Sequence, residues 1–362
     1  RFGGKGSQER AGRYVAGMQG LTAANKVGEQ MRIGKLPENV WKRSVFRHIN
    51  KTKREEVKTG AGIGEDCAVF SFGSKEMTCM SLYTVCRPGE DTARLAIYGS
   101  VNMLAASGAE PVAVNISALM PEGTEEESVR SMAVQTGEEC ALLGIQASGV
   151  HIQVTKGISC PAITVAGIGR QAAEGEGISL KGIKPGQDIV VSKWIGLEGT
   201  YLLAKNKEKE LLARYPSRFI KEAQECDRFF SAVPEAATAV KSGVCAMHSI
   251  AEGGIFGALW EMASGAGVGL EIDWKKIPIK QETVEICEFF EISPYELASV
   301  GCLLMTTERG HDLVRVLEKE GIAASVIGKT TDNNDRVVVN GEERRFLEMP
   351  KQDELYKVFG RA

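Results

Sequence analysis

The sequence predicts a mixed α/β (α+β) chain of two domains, and three observations carry that expectation. The length of 362 residues suits two domains of ordinary size. β-Branched runs alternate with helix-like segments in both halves. The composition shifts once in mid-chain, to the Gly-rich polar stretch 171–188, which reads as the boundary.

The elements follow in order. Residues 37–50 read as a helix with Pro37 near its start. A basic link leads into AGIGEDCAVFSF, a Gly-rich turn running into a strand, and 77–85 reads as the next strand. Residues 91–107 form a helix with a broad apolar face, with Asp91 as its cap and Gly108 closing it. A strand at 112–120 and a helix over about 124–143 follow, the latter opened by Glu125, Glu126 and Glu127, which suit its dipole. VHIQVT and PAITVAGIG are two further strands.

In the second half, IVVSKWIG is a strand and 199–241 is mostly helical. AEGGIFGALWEMASGAG is a Gly-opened helix, LEIDW a strand and 283–293 a helix. VGCLLMTTE, HDLVRVLEKEG and ASVIGKT read as strand, helix and last clear strand. Residues 349–362 read as a charged tail with a short helix. At the other end, residues 1–30 lack a strong apolar period, and Met31 opens what reads as a natural start, so 1–30 are expected to be a flexible extension.

Composition excludes several classes. Hydrophobic residues make up 43% and charged residues 25%, as in ordinary globular proteins. The net charge of -3 offers no positive field for nucleic acid or a membrane surface. No apolar run approaches the ~18 residues of a membrane span. The nine cysteines are scattered singly, without a CxxC pair. That pattern fits reduced thiols in a cytoplasmic protein better than a disulfide framework or a zinc site.

Three segments carry the candidate chemistry. Thr59 to Val69 places glycines at alternate positions before Glu65 and Asp66, a backbone that lets a ligand approach beside two hard-cation ligands. Pro88 to Pro111 contains a helix face of small residues from Gly99 to Gly108, suited to close packing. Met247 to Gly254 puts Gly253 and Gly254 ahead of a helix, where free N–H groups can bind an anion. Each segment alone also reads as a plain turn or tight helix packing.

Together and in this order, the three segments resemble the superfamily of aminoimidazole ribonucleotide (AIR) synthetase. Gly62 to Val69 is similar to its G-x-G-D-D-A-A-V turn, Gly99 to Pro111 to its G-x-x-N-D-L-A-x-x-G-A-x-P helix, and Ser249 to Ile255 to its D-x-T-x-G-G-L element. Pro88 to Asp91 and the run from Arg94 look nearest to the hydrogenase maturation branch. The resemblance implies an N-terminal domain over 31–175, a C-terminal α/β domain over 176–348 and a tail over 349–362. It also implies a homodimer whose N-terminal domains share a β-barrel, with ATP and Mg2+ bound in a nearby cleft. Residues implied for the nucleotide are Gly62, Gly64, Glu65, Asp66, Asn102, Gly108, Gly149, Gly253 and Gly254; those for the metal are Asp66, Glu65 and Asp91.

The departures are chemical. Val85, Met103, His151 and Ser249 stand where the family places acids. Val85 and Met103 offer no oxygen to Mg2+, which prefers oxygen ligands. A phosphoryl-transfer site needs metal to neutralise the phosphates. The maturation branch also carries a C-terminal cysteine, and no cysteine follows Cys302 here. The sequence therefore supports two readings: an ATP-dependent enzyme activating an oxygen of a small molecule, or a catalytically degenerate dimeric binding or scaffold relative. A third reading, a redox or metal sensor using Cys67, Cys86 or His151, competes with a simpler account in which the thiols are core residues.

Overall fold

A computed structural model describes residues 38, 42, 57–59, 62–66, 68–70, 75–172 and 178–360. The extension expected over 1–30, Met31 and nearly all of the helix expected over 37–50 lie outside the described residues, as does Cys67.

The first sheet has six strands: β1 (Val57–Thr59), β2 (Ala68–Phe70), β3 (Glu76–Cys86), β4 (Glu110–Pro121), β5 (Gln146–Thr155) and β6 (Ala162–Ala172). Their spatial order is β1-β2-β3-β6-β4-β5. All neighbours are antiparallel except β4 and β5, which run parallel. That parallel pair needs a crossover, and helix α2 (Glu126–Leu143) supplies it. Along β3, Met77, Cys79, Ser81 and Val85 point into the core, while Met80, Leu82, Thr84 and Cys86 face outward.

Helix α1 (Thr92–Ala106) covers the inner face and is buried almost all round. The small residues expected to permit close packing do so. Ser100 Oγ shares a 2.8 Å hydrogen bond with Ser81 Oγ, and Ser81 Oγ also donates to the Ser100 carbonyl at 2.9 Å. A side chain at Gly99 would collide with the Tyr83 ring. Asp91 stands at the helix N-terminus, but its side chain caps no backbone N–H. It is committed elsewhere: Lys205 Nζ lies 2.7 Å from one oxygen and Tyr201 donates its hydroxyl to the other at 2.8 Å.

The second sheet has seven strands: β7 (Asp188–Ser192), β8 (Ala246–Ile250), β9 (Gly269–Asp273), β10 (Cys302–Thr307), β11 (Ala324–Thr331), β12 (Arg336–Asn340) and β13 (Glu343–Phe346). Their order is β13-β12-β9-β11-β7-β10-β8, with one parallel pair, β9 and β12. The helices around it include α3 (Leu197–Asn206), α4 (Glu208–Leu211), α5 (Ser217–Gln224), α6 (Val233–Lys241), α7 (Gly254–Ala266), α8 (Gln281–Phe290) and α9 (Gly310–Lys319). The sequence reading ended the strands at residue 330. In fact β12 and β13 form a further hairpin, five and four residues long: β12 carries only the short run Val337, Val338 and Val339 between polar ends, and every β13 residue is exposed.

The charged tail is partly a buried strap. Asp353, Glu354, Leu355 and Val358 are all buried, and α10 (Leu355–Phe359) provides the short helix expected there. A single apolar cluster runs from Val85, Leu95 and Val114 under the first sheet to Ile189, Leu202 and Leu304 in the second. Phe230, fully buried, meets Tyr98 of α1 and Tyr201 of α3 edge-on, with ring centroids 5.9 and 5.4 Å apart.

Candidate functional site

The Gly-rich turn delivers its carboxylates to the seam between the two sheets. Gly64 has φ of +72°, and a Cβ there would come within 2.9 Å of the Glu261 carbonyl oxygen. Only glycine allows this close approach in that conformation.

Asp66 crosses the seam at this point. One of its oxygens accepts the backbone N–H of Ser249 at 3.1 Å and lies 3.2 Å from His248 Nδ1. The other accepts the Ser249 hydroxyl at 3.3 Å. His248 is 3% exposed, and its Nε2 lies 3.0 Å from a carboxylate oxygen of Glu261 on α7. Burial alone would lower the histidine's pKa, but the charges and hydrogen bonds of Asp66 and Glu261 overcome it and push it up to about 10. The seam thus holds an imidazolium between two carboxylates.

Glu65 turns to a different partner: Ser179 donates its hydroxyl to Glu65 at 3.1 Å. Burial raises the Glu65 carboxyl above the usual range. The cavity beside Glu65 and Asp66, bordered also by Thr59, Ser107, Ile178 and Met247, measures only about 10 Å³.

A second acidic cluster lies at the N-terminus of α7. Gly253 and Gly254 both adopt positive φ. The Gly253 N–H donates to an Asp353 carboxyl oxygen at 2.7 Å, so the strap's own side chain takes the place expected for a bound anion at this helix start. Leu355 N–H donates to the other Asp353 oxygen at 2.9 Å. Burial pushes the Asp353 carboxyl up to about 7 despite those two bonds, with Glu198 and Glu252 adding repulsion. Glu198, wholly buried on α3, is also raised by burial, and Arg87 stands 3.7 Å from it. Tyr356 is pushed to about 12 by burial and by Glu252. The cavity along Glu252, Gly257, Glu261, Pro350 and Asp353 is about 20 Å³.

The remaining expected site residues are placed apart from these two clusters. Asn102 is buried and fully used: its Nδ2 donates to the Phe230 carbonyl and its Oδ1 accepts the Ala232 N–H, both at 2.8 Å. Gly108 ends α1 with φ of +80° against Ile178. Gly149 lies on β5 beside Asn115, in a shallow cavity of about 380 Å³ on the outer face of the first sheet. His151 lines the same cavity and is exposed. Val85 is a core residue, and Met103 packs on the cluster of Val69, Cys79 and Leu104.

The three carboxylates expected to hold Mg2+ are therefore separately engaged: Asp66 by His248 and Ser249, Glu65 by Ser179, and Asp91 by Lys205 and Tyr201. Among the described residues, no three His, Cys, Asp or Glu side chains converge as metal ligands. As arranged, the seam does not present converging free carboxylates to Mg2+, because both oxygens of Asp66 are engaged by His248 and Ser249 and Glu65 turns to Ser179. Sequence reasoning missed His248, Glu261, Arg87, Glu198 and Asp353 as members of these clusters. The inward position of His248 in the apolar strand AMHSI was the available signal; Asp353 gave none.

Comparison with known proteins agrees with this architecture. The model of the AIR synthase related protein N-terminal domain matches residues 64–171, and that of the C-terminal domain matches 184–340. The chain belongs to the AIR synthase-related family. A Methanocaldococcus jannaschii protein provisionally named a hydrogenase expression/formation protein is 27% identical over 337 residues, covering 90% of this chain and 97% of that one. The carbamoyl dehydratase HypE of Rhodobacter capsulatus is 26% identical over 253 residues, covering 67% and 70%. Among solved structures, Escherichia coli HypE superposes with a TM-score of 0.66 at 21% identity, covering 79% of this chain and 89% of that one. A HypE complex with ATP gives a TM-score of 0.63 at 18% identity, covering 90% and 98%. The relatives similar in sequence carry hydrogenase maturation names, and the solved structures share the fold.

Proposed function

We propose that this AIR synthase-related protein binds ATP at the seam between its two domains, without a carboxylate-held Mg2+. The observation that carries the reading is the Asp66 carboxylate, held by His248 and Ser249 through both of its oxygens. The shared fold with a HypE solved in complex with ATP supports a nucleotide ligand. Phosphoryl transfer would need more cationic help than this arrangement offers.

A second reading is a binding or scaffold protein with no nucleotide at all. The cavities of about 20 and 10 Å³ beside the two acidic clusters favour it, since both are small against a nucleotide. In either reading the chain is a homodimer through the part of the first sheet's outer face around Met80 and Leu82, away from the Cys86 end of β3. The exposure of Met80 and Leu82, at 41% and 63%, supports that face as a partner surface.

Calorimetry with ATP, in Mg2+ and in chelator, separates these readings. Equal affinity in both is expected. Binding only with Mg2+ would overturn the metal-free proposal in favour of the metal-dependent enzyme. Binding in neither would overturn the nucleotide and leave the scaffold.

A further inference from the structure

Two thiols touch at the edge of the first sheet. Cys86 Sγ and Cys160 Sγ are 3.7 Å apart, although 74 positions separate them in sequence. Cys86 is the last residue of β3 and is exposed; Cys160 lies just before β6 and is partly exposed. This is the only sulfur–sulfur contact recorded among the described residues. Other thiols are used differently: Cys79 Sγ donates to Gln171 Oε1, and Cys302 Sγ donates to the Trp194 carbonyl.

The backbone holds the two thiols in place. The β3–β6 ladder ends with Cys86 opposite Ala162, and one residue on, the Arg87 N–H donates to the Pro161 carbonyl at 3.2 Å. A disulfide needs a sulfur separation of about 2.05 Å. Side-chain rotation on this pinned frame covers the remaining distance. Burial and the neighbouring Cys86 raise the Cys160 thiol. That leaves Cys86, the more exposed sulfur, as the one an external oxidant meets first.

We propose that Cys86 and Cys160 form a reversible dithiol–disulfide site, oxidised by a low-molecular-weight disulfide. The Cys86 thiolate attacks one sulfur of that disulfide, forming a mixed disulfide and releasing one thiolate. The Cys160 thiolate then attacks Cys86 Sγ and displaces the second. Two protein thiols lose two electrons, the oxidant's S–S bond is reduced to two thiols, and the two protein protons end on those thiols. The site has a neighbour that can feel the change: Arg87 directly follows Cys86, and its guanidinium lies 3.7 Å from Glu198 at the domain junction.

The test is oxidation of the native full chain with oxidised glutathione, then alkylation of remaining thiols and peptide mass spectrometry. The expected result is one link between the Cys86 and Cys160 peptides, two fewer alkylated thiols, and full reversal by dithiothreitol. In Cys86→Ser, Cys160 should stay alkylatable at the same oxidant concentration. The proposal is overturned if wild-type Cys86 and Cys160 are both alkylated, if Cys86 stops at the mixed disulfide, or if the link joins two copies of the chain.

Discussion

His248 Nδ1 lies 3.2 Å from Asp66 Oδ2, joining residues 182 positions apart across the seam between the two sheets. The same ring reaches Glu261 on its other side at 3.0 Å. Two carboxylates and one imidazolium thus lock the Gly-rich turn of the first domain onto β8 and α7 of the second. Removing the cation would leave Asp66 and Glu261 repelling each other with little water around them. Breaking such a buried arrangement from one side costs about 3–5 kcal/mol. His248→Ala should lower the unfolding free energy by about that much in urea titrations, and a loss under about 1 kcal/mol would show that the contact carries little.

The pH dependence of that loss has a definite sign. The folded pKa of His248, about 10, exceeds its unfolded value of 6.5. Its contribution is therefore complete below the unfolded pKa and is lost as pH rises through the folded one. The stability gap between wild type and His248→Gln should be wide at pH 6 and shrink steadily toward pH 10. A gap that widens with pH would contradict the charged form.

Asp353 titrates in the opposite sense from an ordinary ion-paired carboxylate. Its folded pKa of about 7 lies above the usual 3.8, so the fold prefers the neutral acid. Relative to Asp353→Asn, wild-type stability should fall as pH rises from about 4 to 7 and level off beyond. Paired urea titrations at pH 5 and pH 8 check this, and an unchanged difference would place the strap carboxylate in a less buried setting.

Asn102 is a clip with both ends engaged, at the Phe230 carbonyl and the Ala232 N–H. Asn102→Ala strands two buried backbone groups, each costing about 1–3 kcal/mol. A clear loss of urea midpoint is expected with no change in the urea m-value. A neutral substitution would mean that water replaces the amide.

Gly254 tests the start of α7. Its φ is +61°, and an added Cβ would meet the Tyr295 carbonyl oxygen at 2.5 Å and the Leu297 N–H nitrogen at 2.8 Å. Both are backbone atoms and cannot swing aside. Gly254→Ala should destabilise severely, read as lost soluble yield or a sharply lowered melting temperature. Wild-type behaviour would show that this turn can re-form elsewhere.

Much of this architecture was legible in sequence because it rests on local chemistry. The glycines of the first turn, the small face of α1 and the Gly253–Gly254 helix start each announce a close approach. Other features depend on distant partners. Asp91 reads as a helix cap from its neighbours, yet Lys205 and Tyr201 arrive from α3 and claim it. β13 is short and wholly exposed, so no apolar alternation marks it, and the valine run of β12 is only three residues long. The seam triad was invisible for the same reason, since its members come from a turn, a strand and a helix. That His248 would stand against Asp66 was not readable from either segment alone.

The protonation state of His248 tests the central claim most directly. The chain has four histidines, so its side-chain signals can be assigned by comparison with His248→Gln. Long-range proton–nitrogen NMR of the folded protein at pH 8 should show both ring nitrogens of His248 carrying protons. A neutral ring at pH 8, with one bare nitrogen, would contradict a built-in cation at Asp66 and return that carboxylate to the candidates for a metal ion.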